Sequence, residues 1–417
     1  MPLPTSAGSA TRSLPSDPRQ APAPLGAGPA VLQVIQEGTL RGAEVFALDL
    51  SAALRRAGWS VVLLSLCRVE ASFAEAAAAA EVPLVTVAAG GRAAGFDPRV
   101  LVRVRRHIAR GQFGVVQANG AATLKYLAVA RLMDRESWTL VYRAIGMGSF
   151  WRRGWRGRLY RPLLRRPHRI VAVSGAVRDD LTASGVSPRR IVVIPNAVDP
   201  ARLAGHPLER AAIRSRLGIG EEERVLVYAG SFSPEKQVPA VLEVVRRCRA
   251  SGLPVRAILV GDGPERGVLA AGLRRDGLRQ VVALLPPHPR VAPFLRAADL
   301  CLLPSRTEGM PALLIEAGLL GVPAVAYRVG GVGEVVEHGV TGTLVPPGDL
   351  SGLAAAVMTL LRDDARRQAM GRAAVARCRQ FTIDAVAGTY AALYRSLMPR
   401  GVVHPAAADG AGRSGSA

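Results

Sequence analysis

One unit of sequence occurs twice in this chain, and it constrains the fold more than any other feature. VLQVIQ, Val31 to Gln36, is a short apolar strand followed by the turn EGTLRGAE, which carries Gly38 and Gly42. A helical pattern follows, with Val45, Leu48, Leu50 and Leu54 on one side, and then a second buried strand, VVLLSL, Val61 to Leu66. This is a βαβ unit with a glycine loop after its first strand. About 190 residues further on the same order returns. The strand RVLVYAG, Arg224 to Gly230, leads into the loop SFSPEKQ, a helix from about Val238 to Ala250, and the strand VRAILVG, Val255 to Gly261.

Further strands are placed at GVVQAN, TLVYRA, RIVAVS and RIVVIPN in the first half, and at VVALL, LCLLPS, PAVAYR and TGTLVPP in the second. Strands alternating with helices predict parallel sheets. Two such units in 417 residues predict two doubly wound, Rossmann-like α/β domains facing each other across a cleft. The first domain is expected over 29–200 and the second over 201–381. Their junction falls where Pro200, His206, Pro207, Gly218, Gly220 and Glu221 to Glu223 cluster. Residues 1–28 and 401–417, rich in Pro, Ala, Ser and Gly, read as disordered tails.

Composition removes several chemistries. Of 54 Lys+Arg, only Lys125 and Lys236 are lysines, and neither follows a glycine, so no phosphate loop of the Gly-Lys-Ser/Thr kind exists. The cysteines Cys67, Cys248, Cys301 and Cys378 lie far apart in apolar runs and read as buried free thiols. The six histidines show no metal-ligand spacing and no Asp-x-Asp occurs, so no metal and no cofactor are expected. No apolar run reaches the ~18 uncharged residues of a membrane span, and residues 1–28 have no apolar signal core. A cytoplasmic protein is expected.

The most informative stretch runs from Leu302 to Asp349. In it Glu308 and Glu316 are separated by seven residues, and Gly309-Met310-Pro311 predicts a helix start between them. Free N–H groups at a helix start bind anions, while carboxylates accept hydrogen bonds from vicinal diols. Such a pairing suits a ligand that carries both phosphate and hydroxyls.

With these residues in view, the chain resembles the retaining, nucleotide-sugar-dependent glycosyltransferases of GT-B fold. The likeness is carried by RGAE (Arg41 to Glu44), VAVS (Val171 to Ser174), IPNAVD (Ile194 to Asp199), GSFSPEK (Gly230 to Lys236) and the paired-glutamate block. LVGDGPER (Leu259 to Arg266) and RVGGVGEVVEHGVTG (Arg328 to Gly342) add to it, so the resemblance spans about 31–397. It implies transfer of a hexose to a hydroxyl acceptor with retention and without metal, in polysaccharide or glycolipid synthesis. Glu308 would hold donor-sugar hydroxyls, Glu316 the ribose, and the backbone of Gly309, Met310, Pro311, Ala312 and Leu313 the sugar and diphosphate. Lys236 would neutralise the leaving diphosphate, helped by the loops at Gly42, Gly230, Ser231 and Gly261. A UDP-, GDP- or ADP-sugar is the implied donor. The helix at about 382–398 would pack back on the first domain.

Two positions depart from the family pattern. Ser231 stands where an Arg is usual, and Asn119 stands where many members carry a His near the transferred sugar. Asn119 can bond a sugar hydroxyl but cannot titrate.

The net charge of +22 is spread unevenly. Residues 29–200 hold 25 Lys+Arg against 12 Asp+Glu, a net of +13, and the densest run, 151–169, has eight arginines and no acid. Trp151, Arg152, Arg153, Trp155 and Arg156 in that run fit an acceptor side that meets an anionic membrane on its inner face, or a lipid-linked acceptor. Nucleic acid would also suit it, but no nucleic-acid module is present and none is expected as a partner. Two rival readings are a nucleotide-sugar epimerase of the same fold and a non-catalytic basic binding protein on it.

Overall fold

The computed structural model describes residues 30–87, 96–133, 138–146, 161–205 and 209–398. The expected tails, and the candidate residues Trp151, Arg152, Arg153, Trp155 and Arg156, lie outside the described residues.

Apolar runs that leave no polar face must be covered on both sides, and these runs form parallel sheets. The first sheet has seven strands: β1 (Ala30–Ile35), β2 (Ser60–Ser65), β3 (Leu84–Thr86), β4 (Val115–Asn119), β5 (Thr139–Ala144), β6 (Arg169–Ala172) and β7 (Ile191–Val193). Their spatial order is β3-β2-β1-β4-β5-β6-β7, all neighbours parallel. The second sheet has six: β8 (Arg224–Ala229), β9 (Val255–Val260), β10 (Val282–Leu285), β11 (Leu300–Leu303), β12 (Ala324–Tyr327) and β13 (Gly342–Val345). They run in the order β10-β9-β8-β11-β12-β13, also parallel. The one strand that sequence reading omits is β3, three partly exposed residues at a sheet edge.

Both orders reverse direction beside the first strand of their sheet, between β1 and β4 and between β8 and β11. At such a switch point the loops leave in opposite directions and open a crevice at the carboxyl ends of the strands. Asn119 ends β4, Gly42 opens the helix after β1, and the loops after β8 and β11 carry Lys236 and Glu308. Topology therefore delivers the sequence motifs to the switch point of each sheet.

The chain crosses between the sheets' domains twice, and the two crossings bond to each other. Val198 N donates to Phe381 O at 3.0 Å and Ile383 N donates to Val198 O at 2.9 Å. After the second crossing the helix Ile383–Leu397 lies against the helix Gly42–Arg56. Ile383, Val386, Tyr390 and Tyr394 share one buried cluster with Val31, Phe46, Leu50, Trp59 and Val141. All four cysteines are buried thiols outside any disulfide.

Candidate active site

The loop after β8 is shaped by its neighbours. Gly230 has φ +150° and its N–H donates to Val260 O at 2.9 Å, while the Tyr228 hydroxyl donates to Ser231 O at 2.8 Å. Gly261, at the end of β9, has φ +152°, and a Cβ there would overlap the Gly230 carbonyl, so only glycine fits. The Ser231 side chain is exposed. The loop ends in a single turn, Pro234–Lys236, and Arg306 N donates to Glu235 O at 2.8 Å, joining it to the loop after β11.

This geometry sets Lys236 against Glu308. Nζ lies 2.8 Å from Oε1, with side-chain exposures of 25% and 7%. The partly exposed lysine covers an almost fully buried carboxylate. Just beyond it the helix Ala312–Leu319 begins after Pro311, with no side chain capping its start. An uncapped helix start leaves N–H groups unsatisfied, and this one follows Glu308 in the chain by four residues.

The first domain closes over this loop. Gly309 stands against the Ile145 carbonyl, Asn196 Nδ2 donates to Met310 O at 3.1 Å, and Asn196 N contacts Met310 Sδ at 3.1 Å. Gly331 N donates to Gly309 O at 3.0 Å, and a Cβ on Gly331 would come within 2.8 Å of Ser174 Cβ. Next to it Glu334 Oε1 accepts from Gly175 N at 2.8 Å, at the start of the first-domain helix Gly175–Ala183, which Ser174 caps.

Comparison with known proteins gives this arrangement a family. The model for Glycosyl transferases group 1 matches residues 209–377, and the model for Glycosyltransferase Family 4 matches residues 40–202. The chain belongs to the glycosyl transferases group 1 family. Its fold is GT-B. The Anabaena protein HepE, solved with UDP-glucose, superposes with a TM-score of 0.78 at 25% identity, over 88% of this chain and 99% of HepE. The sucrose-phosphate synthase of Thermosynechococcus elongatus shares the fold at 18% identity and a TM-score of 0.75, over 88% of this chain and 99% of that one. Among curated relatives, the D-inositol 3-phosphate glycosyltransferase of Segniliparus rotundus is 32% identical over 224 residues, 52% of this chain and 49% of the relative. The N-acetyl-alpha-D-glucosaminyl L-malate synthase of Bacillus anthracis is 32% identical over 187 residues, 45% of this chain and 49% of the relative. The chain spans about half the length of these curated relatives.

In this GT-B protein the other candidate residues fall in three places. Gly42 opens the helix Gly42–Arg56 at the crevice, and nothing lies within 4 Å of a Cβ placed on it, so the protein itself does not require glycine there. Asn119 is buried, and its amide is engaged inside the first domain. Nδ2 donates to Gln33 Oε1 at 2.9 Å and Oδ1 accepts from Gln117 Nε2 at 3.1 Å. The Tyr394 hydroxyl completes that network, donating to Gln117 Oε1 at 2.7 Å and accepting from Gln33 Nε2 at 3.0 Å. Glu316 faces the domain junction, where the charges acting on it are those of Arg202 and Asp49.

Sequence reading gave no role to Asp49, Arg202, Arg143, Asn196 or Glu334. Three carried a local signal: Arg143 as a charge inside an apolar strand, and Asn196 and Glu334 within family blocks. The others acquire meaning from partners remote in the chain.

Asp49 and Arg202 form an ion pair at 3.7 Å. Burial raises the Asp49 carboxyl to about 7, with Arg202 opposing the rise and Asp199 adding to it. Burial likewise raises Glu316 to about 7, with Arg202 opposing and Asp49 adding. A carboxyl whose folded pKa exceeds its unfolded value keeps its proton longer in the fold. Its contribution is therefore favourable at low pH and is lost as pH rises from about 4 to 7. Asp49→Asn removes one of these groups. Its melting temperature relative to the unsubstituted protein is expected to improve between pH 4.5 and 7.5, read by thermal scans. Parallel profiles for the two proteins would sink this account.

Proposed function

We propose that the protein transfers a hexosyl group from a nucleoside-diphosphate sugar to a hydroxyl acceptor, with retention and without metal. The observation that carries this reading is the Lys236–Glu308 pair beside an uncapped helix start at the switch point of the second sheet. Donor binding would exchange partners. The diphosphate takes Lys236 and the N–H groups of Ala312 and Leu313, and Glu308, released from the lysine, accepts from sugar hydroxyls. The bond from the anomeric carbon to the diphosphate oxygen breaks while the acceptor oxygen approaches on the same face, and the acceptor proton passes to the departing oxygen. Glu316 is assigned to the ribose. Arg266 and Arg306 are assigned to supply the charge that Ser231 does not. Arg266 reaches Gly261 O at 2.8 Å, and Arg306 lies in the loop that carries Glu308.

UDP-sugars are the first donors to try, because HepE was solved with UDP-glucose. The two curated relatives have an inositol phosphate and a malate in their names, both hydroxylated anions. Together with the net +13 of residues 29–200, this favours an anionic acceptor, free or at the inner face of a membrane. Among the described residues, no helix is long and apolar enough to cross a membrane.

The test is release of nucleoside diphosphate from UDP-, GDP- and ADP-hexoses, with and without anionic vesicles, using Glu308→Gln as the control. Neither turnover nor a thermal shift with any donor would sink the reading. Conversion of the donor into its epimer without transfer would establish the epimerase instead. A gain in turnover confined to the vesicle arm would identify a lipid acceptor.

A further inference from the structure

Asn196 occupies a position whose chemistry is fixed from both sides. Its Oδ1 accepts from Arg143 Nη2 at 2.8 Å, and its Nδ2 donates to the Met310 carbonyl at 3.1 Å. A guanidinium only donates and a carbonyl only accepts. The group between them must accept on one edge and donate on the other, and a primary amide does this where a carboxylate or an alkyl group cannot. Asn196 also meets Met310 a second time, backbone N–H to Sδ at 3.1 Å.

The support behind Asn196 is rigid. Arg143 is 1% exposed, and its guanidinium lies 3.6 Å from the centre of the Phe46 ring. Among the described residues no carboxylate hydrogen-bonds this arginine, and the Tyr390 hydroxyl lies against its guanidinium. Phe46 in turn packs on Tyr390 of the returning helix, ring centres 5.9 Å apart. A continuous set of buried groups therefore runs from the first-domain core, through the segment that leaves β7, to the loop of Glu308 to Pro311. That loop belongs to the second domain, so the contact exists when the domains are closed.

We propose that Asn196, oriented by Arg143, is a positioning residue of the donor site. It fixes the Met310 carbonyl, and with it the helix start at Ala312, only when the two domains are together. The proposal rests on the reading of that loop as the donor-binding loop, and it makes catalytic geometry conditional on closure. Asn196 touches neither sugar nor phosphate in this role.

Asn196→Asp separates positioning from a merely structural role. A carboxylate beside the buried Arg143 gains a charge-assisted hydrogen bond, so the fold is kept or strengthened. The same carboxylate cannot donate to Met310 O and repels it. The expected result is a melting temperature equal to or above that of the unsubstituted protein, with kcat for donor turnover at least tenfold lower. Hydrogen exchange over 309–313 should be faster, with protection elsewhere unchanged. Activity that merely follows melting temperature, or unchanged exchange over 309–313, would overturn the proposal. Should Asn196→Asp fail to fold, Asn196→Ala is read by the same two measurements, with the same loss expected and the same outcomes decisive. The exchange measurement needs no donor. A protein that turned over no nucleotide-sugar would therefore defeat the functional reading, while the exchange data still decided whether Asn196 holds the loop.

Discussion

Lys236→Ala is expected to lower kcat for donor turnover on the order of 100- to 1,000-fold, the loss found when one charge-stabilising contact to a leaving group is removed. Among the described residues the lysine is the single side-chain cation joined to Glu308. A compact ammonium can pass from carboxylate to diphosphate and back without the paired geometry that an arginine fork demands. Lys236→Arg is therefore expected to recover only part of the rate, although the charge is kept. Stability must be separated from catalysis, because the alanine variant strands a carboxylate that is 7% exposed. The double variant Lys236→Ala, Glu308→Gln removes that stranded charge. Its melting temperature should recover while its turnover stays low. Because Glu308→Gln itself removes a sugar contact, the rate is judged on Lys236→Ala assayed well below its melting temperature, where full turnover would show that the lysine matters for folding alone.

The second large effect is expected at Gly309. Its backbone lies outside the left-handed region, so alanine is acceptable to the second domain by itself. The obstacle lies across the cleft, where a Cβ would overlap the Ile145 carbonyl and crowd Gly146 Cα. Overpacking of this kind costs about 1–3 kcal/mol, and the cost falls on closure. Gly309→Ala should therefore leave the melting temperature nearly unchanged, widen the molecule in small-angle scattering, and reduce kcat/KM about tenfold or more. Gly388→Ala is the matched control, since its Cβ also meets open space and it lies on the helix Ile383–Leu397, outside the site. Equal scattering curves and equal turnover for Gly309→Ala and the unsubstituted protein would refute the closure argument.

The parts of this molecule that could be read in advance are those in which signal and structure are local. Apolar runs became strands almost residue for residue, because a strand buried on both faces leaves little room for polar residues. Lys236 and Glu308 were legible through motifs, and the switch-point topology explains why motifs so far apart in the chain come together. The edge strand β3 was not legible, since its three residues are neither buried enough nor numerous enough to show a pattern. The set formed by Phe46, Arg143, Asn196 and Met310 was not legible either. Asn196 and Met310 stand in family blocks and Arg143 is a charge in an apolar strand, but the partner of each is supplied only by the tertiary fold. Asn119 shows the converse: its position could be read, but the Gln33, Gln117 and Tyr394 network that engages its amide could not.

The return of the helix Ile383–Leu397 to the first domain bears on the order in which the protein is made. Domains ordinarily fold from the amino end as synthesis proceeds. Here Tyr390 and Tyr394 close the wall beside Phe46 and Trp59, so the first-made domain is the last to be sealed. The second sheet, continuous from Arg224 to Val345, can form while that wall is still open. On the ribosome the nascent chain thus carries an uncovered apolar face through most of its translation. A chaperone that binds such faces would meet this protein early and release it late.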